Sequence, residues 1–483
     1  MKTNHLIVAF FAFFAITLIS CSESEENVLT SIPADTGMIV RLNADKFLTS
    51  AGAQKDGNTW KFGQGIENIL ATMTSGTRSE FMKLMDALPV LDYENIYVYE
   101  YKSSPIATCI TKHPGALADG LEKELGKPHK IDGYSVYNHV IILKGNRVWI
   151  AENIDKLMDS LEDAAKSPAS NVDIISKSIG NKDKAATVIA NYSALLAHNP
   201  YIQMAGGKDI YNMYEGHFVT YSIVFDSNKM LVDGSMYDRD GKAVSIAGKL
   251  APIETSFTRL LPANTILAVA SGKPSDEVSN IIIESLSGLG IQDVRPYIEA
   301  LNGSMAFAVA PPSAFNDILD LSKWTLTISA GYDKAKAEEI IGMAEDMGTH
   351  DINVTRLADQ TRFNVPGGIG LMNPANFYLG YIDGMLVAST QPISTDHKNS
   401  LAANFNGHSS AGVFDIPADG DIVKGFGAPF GLECHMSGND DKFISECEFT
   451  GSPYPFIESI IVAATDKKFH RDAADAFMRL SAQ

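Results

Sequence analysis

Apolar and polar positions along the chain follow two alternating rhythms. Period-two runs predict strands at Met38 to Asn43, Asn95 to Tyr101, Pro105 to Thr111, Tyr134 to Tyr137, Val140 to Leu143 and Arg147 to Ala151. Helical periodicity fills the gaps. One helix opens at Asn43, another spans 62–88, and a third runs from Gly115 to Leu125 and stops at Gly126 and Pro128. Helices follow at Asn153 to Ala165 and near 171–179. Ala186 to Asn191 then predicts a strand. His217 to Phe225, Met230 to Tyr237 and Ala243 to Ala247 predict an antiparallel meander, with Asp226-Ser227-Asn228 and Asp238-Arg239-Asp240-Gly241 as turns.

From about residue 257 the same order restarts. Leu261-Pro262-Ala263-Asn264-Thr265 echoes Ile32-Pro33-Ala34-Asp35-Thr36, and each leads into a strand and then a helix. Ser304 to Ala310 and Thr325 to Ala330 echo the strand pair at 95–111. A helix at Asp333 to Gly348 echoes the one at 115–125. Asn376 to Tyr381 and Gly384 to Ala388 echo 140–151, and each pair is followed by a helix, at 153 and at 395. Ser410 to Ile416 and the hairpin from Phe430 to Phe449 complete the series, and helices at Phe456 to Ala464 and Asp472 to Leu480 close the second half. The expected fold class is α+β: two related halves of mainly antiparallel sheet packed with helices, arising by internal duplication, at 31–250 and 251–483. A chain of 483 residues also exceeds the roughly 250–300 at which a single core stops growing.

The start of the chain has a different pattern. Lys2 precedes an apolar run from Leu6 to Ser20, too short for the ~20 residues of a spanning helix, which reads as a signal peptide over 1–20. Leu18-Ile19-Ser20-Cys21 resembles a bacterial lipobox. That resemblance implies a diacylglyceryl and acyl (palmitate-type) modification of Cys21, and residues 21–30, with Glu23, Glu25 and Glu26, would be an acidic tether. The lipobox, the Ile32 to Thr36 opening and the strand and helix through Leu48 together resemble an uncharacterised family of Bacteroidota lipoproteins. The resemblance implies a cell-envelope address, in the outer membrane and either periplasmic or surface-exposed, and carries no activity with it.

Charge and cysteines refine this picture. With 58 acidic and 39 basic residues, and a formal net charge of −19, the chain repels nucleic acid, which is excluded as a main partner. A hairpin centred between Asp440 and Asp441 puts Cys434 opposite Cys447. A cross-strand disulfide and two unpaired thiols both fit that register. Cys109 reads as a buried apolar thiol.

Motifs of known chemistry are sparse. Gly63-Gln64-Gly65 is too short for a dinucleotide loop and is read as not following a strand. Val365 to Gly370 lacks the lysine and serine of a phosphate loop. Gly407-His408-Ser409-Ser410-Ala411-Gly412 misses the nucleophile elbow by one place. Asp238 to Gly241 is a fragment of a calcium loop without its downstream glutamate. His435 follows Cys434, so a strand sends the two to opposite faces. Tyr97, Tyr99 and Tyr101 share one strand face, as a ligand platform or a covered sheet. Tyr192, Tyr201, Tyr211, Tyr214 and Tyr221 mark 192–221 as a candidate recognition loop. No catalytic residue, metal ligand or cofactor is expected. The reading is a lipid-anchored, non-enzymatic binding or assembly protein with an envelope protein or glycan as partner; the alternative is an envelope hydrolase acting on glycan or peptide.

Overall fold

The computed structural model describes residues 28–56, 59–79, 95–192 except 103, 112, 139 and 180–183, 215–288 except 239 and 245–248, 291–346 except 292, 352–368, 375–439 except 396, 398 and 399, and 442–481. Cys21 and the leader lie outside the described residues. Val28 and Leu29, assigned to the tether from sequence, are buried in the core, so packing begins there and not at residue 31. Helices and an extensive antiparallel sheet make the chain α+β. It forms two compact units, and their sequence boundary falls at Val244 and Ser245.

The first unit contains β1 (Met38–Leu42), α1 (Ala44–Ser50), a small ribbon of β2 (Ala53–Asp56) with β3 (Thr59–Phe62), and α2 (Gln64–Thr72). Then come β4 (Ile96–Tyr101), β5 (Ser104–Ile110), α3 (Pro114–Leu125), β6 (His129–Ile131), β7 (Tyr134–Tyr137), β8 (Ile141–Lys144), β9 (Arg147–Ala151), α4 (Ile154–Lys166), α5 (Asp173–Ile179), β10 (Ala186–Asn191), β11 (Phe218–Asp226), β12 (Lys229–Tyr237) and β13 (Ala243–Val244). Across the sheet the order is β6-β7-β8-β9-β5-β4-β1-β10-β11-β12-β13, antiparallel throughout. Caps set the helix starts. Asn43 and Asn153 accept the amide hydrogens of Lys46 and Lys156, and Pro114 stands at the first turn of α3. The helix expected over 62–88 is interrupted: α2 ends at Thr72, because Met73 is extended, and helix resumes over 75–79, after which 80–88 lie outside the described residues.

The second unit contains β14 (Leu267–Ser271), α6 (Asp276–Gly288), α7 (Arg295–Glu299), β15 (Leu301–Ala310), β16 (Thr325–Tyr332), α8 (Lys334–Asp346), β17 (Asn353–Arg356), β18 (Gln360–Val365), β19 (Ala375–Ile382), β20 (Met385–Ser389), α9 (Ala402–Phe405), β21 (Ser410–Ile416), α10 (Asp421–Phe426), β22 (Leu432–Asn439) and β23 (Lys442–Glu448). Its sheet order is β17-β18-β19-β20-β16-β15-β14-β21-β22-β23, again antiparallel. The helix expected at 395 is confined to the single turn of α9. The core is built on small residues, with Ala268, Ala306, Ala308 and Ala411 buried around an edge-to-face pair of Phe257 and Phe405, 5.1 Å apart.

After β23 the chain does not finish the second unit as the sequence suggested. Helix α11 (Phe456–Thr465) belongs to the first unit, and only α12 (Lys467–Ser481) belongs to the second. The physical reason is a cradle of glycines. Gly63 does follow a strand, β3, and it opens α2 without a side-chain cap. A Cβ on Gly52 or Gly63 would overlap the buried carboxylate of Glu458, and one on Gly65 would stand 2.9 Å from Ile461. Glu458 therefore sits against the first turn of α2, where free N–H groups and the helix dipole favour an anion. The Gly65 N–H points to its Oε1 at 3.5 Å. Ile457 and Ile461 pack with Leu48, Ile66 and Leu70, and Phe456 stacks on Phe225.

Candidate functional site

The tyrosine stripe of β4 is not a platform. Tyr97, Tyr99 and Tyr101 are buried beneath α4. Tyr99 shares a hydrogen bond of 2.9 Å with Ser160, and burial pushes its phenol up to about 12. Tyr101 donates to Asp163 at 2.6 Å. These phenols bind α4 to the sheet. Tyr201, Tyr211 and Tyr214 lie outside the described residues. Of the others, Tyr192 titrates high because it is desolvated, and Tyr221 is partly exposed in β11.

The other motifs are structural. Asp238 Oδ1 accepts from the amides of Asp240 and Lys242, which closes a turn and not a calcium loop. Gly407, with φ +81, turns the chain from α9 into β21, so the near-elbow is a helix-to-strand link. Val365 to Gly368 end β18 in a turn, and Ile369 and Gly370 lie outside the described residues. Among the described residues no three His, Cys, Asp or Glu side chains are placed to hold a metal.

In the second unit Cys434 and Cys447 face each other across β22 and β23 and are joined as a disulfide, with Cα atoms 4.1 Å apart. On the opposite face His435 Nε2 meets Glu433 Oε1 at 2.6 Å. Asp415, paired with Glu433 in the ladder, is held above the usual carboxylate range by burial and then by Glu433, with His435 acting the other way. A carboxyl raised in the folded state loses stability as pH climbs from its unfolded to its folded value. Asp415→Asn should therefore raise the melting temperature of this unit at pH 7 by about 1–3 °C, and the gain should vanish below about pH 4. Calorimetry across pH checks this; a pH-independent shift contradicts it.

The chemistry that sequence reading missed lies in the first unit. Lys144 and Arg147 flank the tight β8–β9 turn, and Trp149 follows on β9. With Tyr134 and Asn146, with Thr30 and Ser31 from the incoming chain, and with Leu161 and Ala165 of α4, they line a cavity of about 370 Å³. Lys144 Nζ lies over the Tyr134 ring at 4.1 Å, and that ring meets Trp149 edge-on at 5.8 Å. Arg147 Nη2 donates to Thr30 Oγ1 at 2.9 Å. Trp149 is 3% exposed, and its buried Nε1–H has no hydrogen-bond partner. An unmet buried donor costs about 1–3 kcal/mol. No described residue lining this cavity carries a carboxylate, in a chain with a net charge of −19. The sequence signal was a Lys-Gly-Asn-Arg turn two residues before one of three tryptophans.

Two cavities of the second unit differ from it. One, near 360 Å³, is ringed by prolines and by hydroxyl and amide side chains, with Lys323 and His397 and no carboxylate among its described lining, but with no aromatic pair. The other, near 330 Å³, brings Glu254 and Asp383 together, with Asp383 ion-paired to Arg259 at 3.1 Å. The chain matches no protein-family model, no curated protein and no solved structure.

Proposed function

We propose that the protein is a lipid-anchored binding protein of the bacterial cell envelope and that the Lys144–Arg147–Trp149 cavity is its ligand site. The single observation that carries this reading is a cavity walled by Lys144 and Arg147, with Trp149 in its lining and no carboxylate among its described lining residues. Such a site binds and orients an anion.

We further infer that the two units arose by duplication. The two sheets run through ten strands in the same order, and the registers agree. Arg41, Tyr97, Thr108 and Trp149 form one cross-sheet row; Ala270, Ala306, Ser329 and Val387 form the corresponding one. Arg41 and Ala270 stand at equal distances from Ile32 and Leu261. On this alignment Trp149, Arg147 and Lys144 correspond to Val387, Met385 and Ile382. The fold does not require the cationic and indole groups, so the first unit carries them for another purpose.

The experiment joins anchor and pocket. Cys21→Ala should move the protein from the membrane to the soluble fraction, and continued membrane association would sink the lipidation claim. Arg147→Glu with Lys144→Glu should lose whatever wild-type protein captures from native envelope; unchanged capture would sink the site. The hydrolase reading rests on Glu254 and Asp383 sharing a cavity. Turnover of envelope glycan or peptide that Glu254→Gln abolishes would replace the binding reading.

A further inference from the structure

We infer that the end of the first unit carrying Lys130, Lys144 and Arg147 lies against an anionic phospholipid bilayer. The partner of the cationic site is then the headgroup surface to which Cys21 ties the chain. This rests on the lipid-anchored binding reading above and names its partner.

The meander β6–β9 sets the arrangement. It is antiparallel, so the turns at Asp132-Gly133 and Gly145-Asn146 lie at one end and the β7–β8 turn lies at the other. That end gathers Lys130 and Ile131 from β6, Lys144 from β8 and Arg147 from β9. Asp132 is the only acidic residue from 129 to 151. Lys130 and Lys144 are exposed and touch neutral groups, the Ser135 hydroxyl and the Tyr134 ring, so both present their charge outward. From α4 the adjoining cavity takes only Leu161 and Ala165, and Glu162 and Asp163 of that helix are engaged by Lys166. Ile131, 39% exposed, adds an apolar tip.

The chain upstream says which way this end faces. The core begins at Val28, and Thr30, two residues later, accepts from Arg147. From Cys21 to Val28 the chain reaches ~25 Å when fully extended. A unit of this size is roughly 45 Å across. Lipidation of Cys21 therefore holds the Thr30–Arg147 corner, and not the far side, next to the bilayer. The whole chain, at −19, is repelled by an anionic surface, and Glu23, Glu25 and Glu26 share in that repulsion. Screening over ~10 Å leaves the decision to the charges nearest the headgroups. Each Lys or Arg there strengthens partition about fivefold, so three give roughly a hundredfold. A contact of that size orients a tethered chain without holding a free one, so Cys21→Ala still releases the protein on fractionation.

Vesicle titration of the full mature chain bearing Cys21→Ala separates the surface from the anchor. The probes are vesicles of phosphatidylcholine and vesicles of phosphatidylglycerol at high lipid concentration. Binding to the anionic vesicles should be at least tenfold tighter and should weaken as salt rises. Lys130→Gln with Lys144→Gln, both at exposed positions, should weaken it at least tenfold, and adding Arg147→Gln should erase the preference for anionic vesicles. Lys334→Gln, in the second unit, should change nothing. Equal binding to both vesicles, or to neither, would overturn the bilayer contact. Binding that survives the triple substitution would place the contact elsewhere and overturn the assignment. Displacement by glycerol 3-phosphate would make the site a pocket for a soluble anion and overturn the bilayer as partner. Binding that appears only after Glu23→Gln, Glu25→Gln and Glu26→Gln would make the acidic tether the occupant, again overturning it. None of these outcomes touches the binding reading itself, which stands or falls on envelope capture by the Lys144 and Arg147 variants and on membrane release by Cys21→Ala.

Discussion

Gly63→Ala should destabilise the first unit by about 3 kcal/mol, a large effect for adding one methyl group. The added Cβ overlaps the Glu458 carboxylate, which is buried and also lies against Gly52, so the carboxylate must shift within a packed wall. Glu458→Ala should cost a similar amount. It removes the acceptor facing the first turn of α2 and leaves a cavity between the two helices. The double variant should cost well under the total of the two, because the alanine at 458 vacates the space that a Cβ at 63 needs. Urea unfolding followed by Trp60, which lies on β3 next to the cradle, supplies the cycle. Strict additivity would show that the carboxylate and the glycine do not share that space.

Removing the Cys434–Cys447 disulfide is the second large change. Its sequence separation of 13 residues closes a short loop, and loop entropy assigns such a bridge about 3 kcal/mol. For a unit of this size that is roughly 6–12 °C in melting temperature. Cys434→Ala with Cys447→Ala should lose this amount. A reductant should impose the same loss on the wild type and none on the double variant. Cys109 is buried in the other unit and does not complicate the comparison. A wild-type melting temperature indifferent to reductant would refute the contribution.

The period of the apolar residues made most strands legible, and the repeated order of elements was visible because Ile32 to Thr36 and Leu261 to Thr265 each precede the same run of strands. The Cys434–Cys447 register was readable because the Ser437 to Asp441 run marks a hairpin centre in the sequence, and the pairing of Asn439 with Lys442 keeps that register. What could not be read is long-range and sets the site. Glu458 is one glutamate on an amphipathic helix until Gly52, Gly63 and Gly65 surround it, and nothing in its local pattern names those partners. Trp149 reads as a core residue in a strand, and it is one; only its neighbours show that its N–H has no partner. Lys144 and Arg147 looked like ordinary turn charges, since sequence does not show that the cavity they line takes only Leu161 and Ala165 from α4. Sequence spacing ordered the tyrosines of β4 correctly on one face and could not say that α4 covers it.

The placement of α11 has a consequence for the order of synthesis. The first unit's wall at Ile66 and Leu70 is completed by residues 456–465, near the end of the chain. A nascent polypeptide therefore holds its first unit open until the whole second unit has emerged. Proteolytic clipping after Ser452, beyond the last strand of the second unit, would be felt first in the opposite end of the sequence.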